Sequence, residues 1–64
     1  MRFRKIGETV VEETVFIDRN GHFDIESSVR SRINSLNIQN RRTVGYDEGM
    51  EIMKRLLGKG FIVA

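Results

Sequence analysis

Four residues, Asp18-Arg19-Asn20-Gly21, constrain this chain more than any others. They separate two apolar runs that each alternate in the manner of a strand. Residues 9–18 are rich in Val, Thr, Phe and Ile and predict a strand. Asp at the first turn position, Asn at the third and Gly in a left-handed position suit a type I turn closed by a glycine bulge. In that register Asp18 faces His22, Ile17 pairs with Phe23 and Val15 with Ile25, which puts four apolar residues on one face. A two-residue Asn-Gly turn would instead pair Asp18 with Phe23 and Ile17 with Asp24. The bulged loop is preferred because it gathers the apolar side chains.

From Glu26 the period changes from two to about 3.6. Val29, Ile33 and Leu36 fall at i, i+4 and i+7, with Arg30, Ser31 and Arg32 turned away, and this spacing predicts a helix. Asp24 or Ser27 is its expected cap, and Asn34 or Asn37 its end. Residues 36–42 form either a second short helix or a loop with Ile38 buried. A further helix is expected over residues 47–57. Its stripe is Tyr46, Met50, Met53 and Leu57, with Gly49 and Leu56 beside it, and the two methionines read as core fillers. Asp47, Glu48 and Glu51 lie near its start and Lys54, Arg55 and Lys59 near its end, as the helix dipole favours. Asp47 is the expected N-cap and Gly58 the left-handed terminator. Residues 61–64, Phe-Ile-Val-Ala, predict a short strand that takes the N-terminal hairpin as its partner.

Sixty-four residues make one domain, residues 1–64, and chains this short bury only about 60% of their unfolded surface. A homodimer is therefore expected, since a three-stranded sheet with so little apolar content leaves an edge unpaired. There is no cysteine, which excludes disulfides, thiol catalysis and Cys-ligated zinc, and one histidine cannot form a histidine metal cluster. No apolar run approaches the roughly 18 residues of a membrane span. The basic start, Met1-Arg2-Phe3-Arg4-Lys5, has no apolar stretch after it and does not read as a signal peptide. A cytoplasmic protein that makes no membrane contact is expected.

The inventory for catalysis is thin. Gly58-Lys59-Gly60 lacks the rest of a Walker loop, and no serine has a local base. His22 near Asp18 and Asp24 reads as an exposed residue flanking a turn. Glu12 and Glu13 alternate across a strand, so they cannot share a proton or a metal. Asp47 and Glu51 share a helix face but read as solvated. No enzyme activity, cofactor or metal is expected. The basic residues say more. Arg30, Arg32, Arg41 and Arg42 cluster around the expected helix connections, and Lys54, Arg55 and Lys59 close the last helix. Arginine suits phosphate forks, so nucleic-acid contact is the leading expectation although the net charge is only +2.

Residues 36–63 resemble the winged helix-turn-helix pattern, and specifically the gamma domain of FtsK-type DNA translocases. Gln39, Arg41, Gly45 and Tyr46 match that family's Gln-Arg-Arg-Phe-Arg-Ile-Gly-Tyr pattern in place, followed by an apolar helix, Gly60 and Ile62-Val63. The resemblance implies a turn at Gly45, a recognition helix over residues 47–57 and binding to double-stranded DNA. Arg42 stands where that family has Phe, and Asp47, Glu48 and Glu51 stand where it carries Asn-Arg and a later Arg. A weaker resemblance joins Asp18, Gly21, Phe23 and Ile25 with Val29-Arg30 to the swapped-hairpin domain of AbrB and MazE-type antitoxins.

The expected fold is α+β: an N-terminal β-hairpin, two or three helices that include a helix-turn-helix, and a short C-terminal strand completing a small antiparallel sheet. The expected function is that of a small DNA-binding regulator of transcription or DNA transactions. Its contact residues are expected to be Arg30, Gln39, Arg41, Arg42, Thr43, Tyr46, Lys54 and Arg55. The competing expectation is an antitoxin-like or phage-type protein-binding regulator whose acidic helix face engages a basic partner.

Overall fold

A computed structural model describes residues 1–64 and shows a five-stranded antiparallel sheet with one helix across one face. The strands are β1 (Arg2–Ile6), β2 (Val10–Asp18), β3 (His22–Ser31), β4 (Asn37–Gly45) and β5 (Ile62–Val63), and the helix α1 spans Tyr46–Gly58 between β4 and β5. Strand order is β4-β3-β2-β1-β5, so β4 and β5 are the two edges. The order follows from local pairing. Tight turns make β1, β2, β3 and β4 a meander, and only the helix carries the chain back across the sheet to lay β5 on β1.

Alternation along these strands sorts the side chains onto two faces. Phe3, Thr14, Phe16, Phe23, Ile25 and Val44 turn towards α1 and are buried there with Ile52, Met53 and Phe61. Phe3 meets Phe16 edge-on at 5.5 Å and Phe16 meets Phe23 edge-on at 5.9 Å, while Tyr46 stacks on Phe23 at 5.3 Å. Such aromatic pairs contribute about 0.5–1.5 kcal/mol each beyond the area they bury. Ten of 64 residues are buried, three of them in the helix and the others beneath or beside it. The far part of β3 and β4 extends beyond that cover, and Ile33, Leu36 and Ile38 are each more than half exposed.

The hairpin forms where the sequence places it, but with the other register. Arg19 N–H donates to the His22 carbonyl at 2.8 Å, closing a two-residue turn, and Asp18 pairs with Phe23 and Ile17 with Asp24. Asn20 at φ 61° and Gly21 at φ 117° both occupy positive φ, as a type I′ turn requires. The Asp18 carboxylate accepts from the Asn20 N–H at 2.8 Å. This register wins because it aligns Phe16 with Ile25 and sends Val15 and Ile17 to the opposite face, so that the phenylalanines share one core.

The expected two or three helices and the helix-turn-helix are not present. Residues 26–31, read as the start of a helix, continue β3, and residues 37–45 are the edge strand β4. Ser31 Oγ accepts from the Ile33 and Asn34 amides, each at 3.2 Å, and Ser31 N–H donates to the Leu36 carbonyl, so the segment turns back into a hairpin. Serine competes with helical backbone bonding in just this manner. The winged-helix fold implied by the likeness to the translocase gamma domain is overturned by the same strand: its first helix would occupy residues that are paired with β3.

The one helix that forms is the one expected over residues 47–57, with adjustments. Its buried stripe is Gly49, Ile52, Met53 and the partly covered Leu56, about a quarter turn from the expected one, which leaves Tyr46, Met50 and Leu57 exposed on the flank. Gly45, in extended conformation, precedes the helix without a side-chain cap, so Asp47 lies within the first turn. Gly60, not Gly58, takes the left-handed position at φ 94°. Phe61 N–H reaches the Leu56 carbonyl at 3.0 Å and Gly60 N–H the Leu57 carbonyl at 3.1 Å, a Schellman closure. No helix is long and apolar enough to cross a membrane.

Candidate interaction surface

The sheet face opposite the helix carries the densest set of polar side chains. Register places Arg2, Val15, Glu26 and Arg41 in one row across β1 to β4, and Arg4, Glu13, Ser28 and Gln39 in the next. Arg4 donates through both Nε and a terminal nitrogen to one Glu13 oxygen, at 3.1 and 2.9 Å, while Arg2 approaches the other at 3.7 Å. Arg41 donates to Glu26 at 2.6 Å. Near the β2–β3 turn, Asp24 accepts from Thr43 Oγ1 at 2.9 Å and from Arg19 Nε at 3.0 Å. These rows line a groove of about 450 Å³ in which Val15 is the one hydrophobic residue among nine.

Two carboxyls on this face titrate below their ordinary range. The hydrogen bond from Arg4 holds Glu13 down, helped by the charges of Arg2, Arg4 and Arg30. The hydrogen bond from Thr43, then that from Arg19, holds Asp24 down. Both remain ionised at neutral pH. The face therefore carries Arg2, Arg4, Arg19, Arg30 and Arg41 against Glu13, Asp24 and Glu26, five cations facing three anions. Apart from Arg30, the arginines are at least partly engaged by these acids. No three His, Cys, Asp or Glu side chains converge as a metal would need.

Of the residues expected to touch DNA, Arg30, Gln39, Arg41 and Thr43 meet on this open face. Arg42 lies on the other face beside Ile25, Tyr46 stacks on Phe23, Lys54 approaches Glu51 at 3.7 Å, and Arg55 lies in the last turn of α1. The eight residues thus do not form one surface. Residue type does not reach Arg2, Arg4, Glu13 and Glu26. The signal for the first two is the alternation Arg2-Phe3-Arg4, in which a buried aromatic between two arginines marks a strand with one charged face, and the two acids join it through the register of β2 and β3.

The second feature is the edge strand itself. Of the nine residues of β4, Val44 alone is buried. Arg41 N–H is taken by the Asn40 side-chain oxygen at 2.8 Å, away from β3. Ser31 and Leu36 are a hydrogen-bonded pair, and alternation from there turns the N–H and C=O of Asn37, Gln39, Arg41 and Thr43 outward. The other edge, β5, is two residues long. The chain matches no known family model, no curated protein and no solved structure.

Proposed function

We propose that this protein is a non-enzymatic regulator that binds another protein, and that it does so by adding a strand to the β4 edge. The observation that carries the reading is the length and openness of β4: an exposed edge of nine residues with outward backbone donors and acceptors along it. Natural sheets shorten, bulge or cover such an edge unless it is used. The apolar residues Ile33, Leu36 and Ile38, exposed at its start, add surface that a bound strand would cover. The groove on the open face has no cluster of convergent catalytic groups and almost no apolar lining, which disfavours a small-molecule substrate. A cytoplasmic setting, expected from the sequence, belongs to the same proposal.

Nucleic acid is the second reading, now carried by the open sheet face and no longer by a recognition helix. The gathering of Arg30, Gln39, Arg41 and Thr43 with Arg2 and Arg4 on one helix-free face favours it. The three acids among them oppose it, since each neutralises charge that phosphate would need. One experiment separates the two. Gln39→Pro removes an outward N–H without removing a bond to β3, so it blocks strand addition and leaves the sheet intact. Affinity capture from native extract should yield bound protein, a second copy of the chain included, that resists nuclease and is lost with Gln39→Pro. Capture that nuclease abolishes, and that Gln39→Pro leaves unchanged, overturns the protein reading.

A further inference from the structure

Resting on the reading of β4 as a docking edge, the geometry points to a second copy of this chain as the strand that pairs there, in one register centred on Asn40. Two copies of β4 related by a two-fold axis pair antiparallel, and hydrogen bonding requires outward-facing residues to meet outward-facing residues. Asn37, Gln39, Arg41 and Thr43 face outward, so odd positions must oppose odd ones. This leaves few registers.

The register of greatest overlap centres on Arg41 and sets that guanidinium directly opposite its own copy. Its neighbour towards the C-terminus centres on Arg42, with the same defect on the helix-side face. Like charges directly opposite destabilise a strand pair. Its neighbour towards the N-terminus centres on Asn40 and has no such clash. Arg41 then faces Gln39, Thr43 faces Asn37, Arg42 faces Ile38 and Val44 faces Leu36, each twice by symmetry. Arg41 stays beside its own Glu26 in every register, but here no second guanidinium is set directly against that pair. Arg41 N–H exchanges the Asn40 side chain for the Gln39 carbonyl of the second copy, so the amide stays satisfied. The two Asn40 side chains, each with donor and acceptor, meet at the axis. The exposed Leu36 and Ile38 come beside Val44 and the Arg42 stem, which covers apolar surface that a single copy leaves in water. The result is a continuous ten-stranded sheet with a helix from each copy on the same face.

The absence of cysteine makes the test free of background. Asn40 sits at a non-hydrogen-bonded position, where facing Cα atoms lie about 4.5 Å apart, inside the range a disulfide spans. In the full chain under mild oxidation, Asn40→Cys should form a covalent dimer about ten times faster than Ile38→Cys, Gln39→Cys or Thr43→Cys, whose own copies are offset and which leave both arginines in place. Fastest linking at Ile38, Gln39 or Thr43, or equal linking at all four, overturns the register. Sedimentation of the unaltered chain as a monomer at high micromolar concentration overturns the second copy. If that monomer still loses nuclease-resistant partners on Gln39→Pro, the edge serves a foreign strand and the broader reading stands. A dimer that survives Gln39→Pro overturns both.

Discussion

Gly49 lies directly against the ring of Phe23, and this contact sets how closely the helix approaches the sheet. A Cβ on Gly49 would fall 2.9 Å from Phe23 Cε2 and nearer still to Cδ2. The ring cannot swing aside, because Phe16 meets it edge-on and Tyr46 is stacked on it. The missing side chain thus lets α1 sink onto β3 and turns Ile52 and Met53 into the core.

Gly49→Ala should therefore destabilise the protein even though alanine favours a helix by about 1 kcal/mol over glycine. Overpacking of a filled core costs about 1–3 kcal/mol, and with nowhere for the ring to move a net loss of about 1–2 kcal/mol is expected. Urea unfolding followed by far-UV circular dichroism checks it. A gain in stability would mean that helix and sheet are farther apart than this contact requires.

The same glycine shows why only parts of the fold are legible in the sequence. Periodicity marks the helix, and the Asn20-Gly21 pair marks the hairpin, because both signals are local. Gly49 looks like a blemish in the helical stripe until Phe23 is known to lie beneath it. The strand β4 is hidden for the opposite reason. Its sequence, Asn-Ile-Gln-Asn-Arg-Arg-Thr-Val-Gly, has one buried residue and so almost no alternation to read. In β3 the spacing of Val29, Ile33 and Leu36 imitates a helix by accident. Val29 belongs to the strand, whereas Ile33 lies in the turn beyond it and Leu36 just before β4. The charged face is half legible: residue type alone points to Arg30, Gln39, Arg41 and Thr43, while Arg2 and Arg4 are marked only by their alternation about Phe3.

Replacing Gly21 by Val tests the turn. At φ 117° a β-branched side chain is strained wherever it points, so a loss of about 1 kcal/mol or more is expected. Asn20→Gly should be nearly silent, since glycine takes φ 61° without strain. Thermal melting compares the two. Equal melting temperatures for Gly21→Val and the unaltered chain would rule out the type I′ turn.

Acid should weaken the fold through Glu13 and Asp24. Both are lowered from ordinary values of 4.5 and 3.8, so the folded state binds protons less readily than the unfolded one. Their stabilisation is complete above the ordinary carboxylate range and disappears as pH falls through the lowered folded values. Thr43→Val removes the principal cause at Asp24, so its titration midpoint should rise towards 3.8 while that of Glu13 stays put. Carboxyl chemical shifts followed against pH resolve the two, and an unmoved Asp24 midpoint would show that Thr43 does not donate to it in solution.

The open face and the β4 edge make opposite demands on the arginines. If the face lies on a phosphate backbone, Arg2 and Arg30 are the side chains with most charge to spare, since Arg4 and Arg41 are held by close carboxylates. Removing Arg2 and Arg30 together should then lower the slope of log K against log salt by about 2, at roughly 0.9 per phosphate. Removing Arg41 and Arg42 together should lower it by no more than about 1, because the two point to opposite faces and cannot follow one backbone. Glu48→Gln with Glu51→Gln should leave it unchanged, as α1 covers the other side of the sheet. If strand addition at β4 is the mode of binding, the order reverses. Loss of Arg2 and Arg30 is then silent, and Arg41→Ala frees Glu26 beside the incoming strand and changes the association rate. Gln39→Pro removes binding altogether, because the outward N–H it replaces is one the added strand must use. Titration of the intact chain with duplex DNA at two salt concentrations, beside the Gln39→Pro chain, gives the answer. DNA binding at low salt that Gln39→Pro does not alter would assign the protein to its open face.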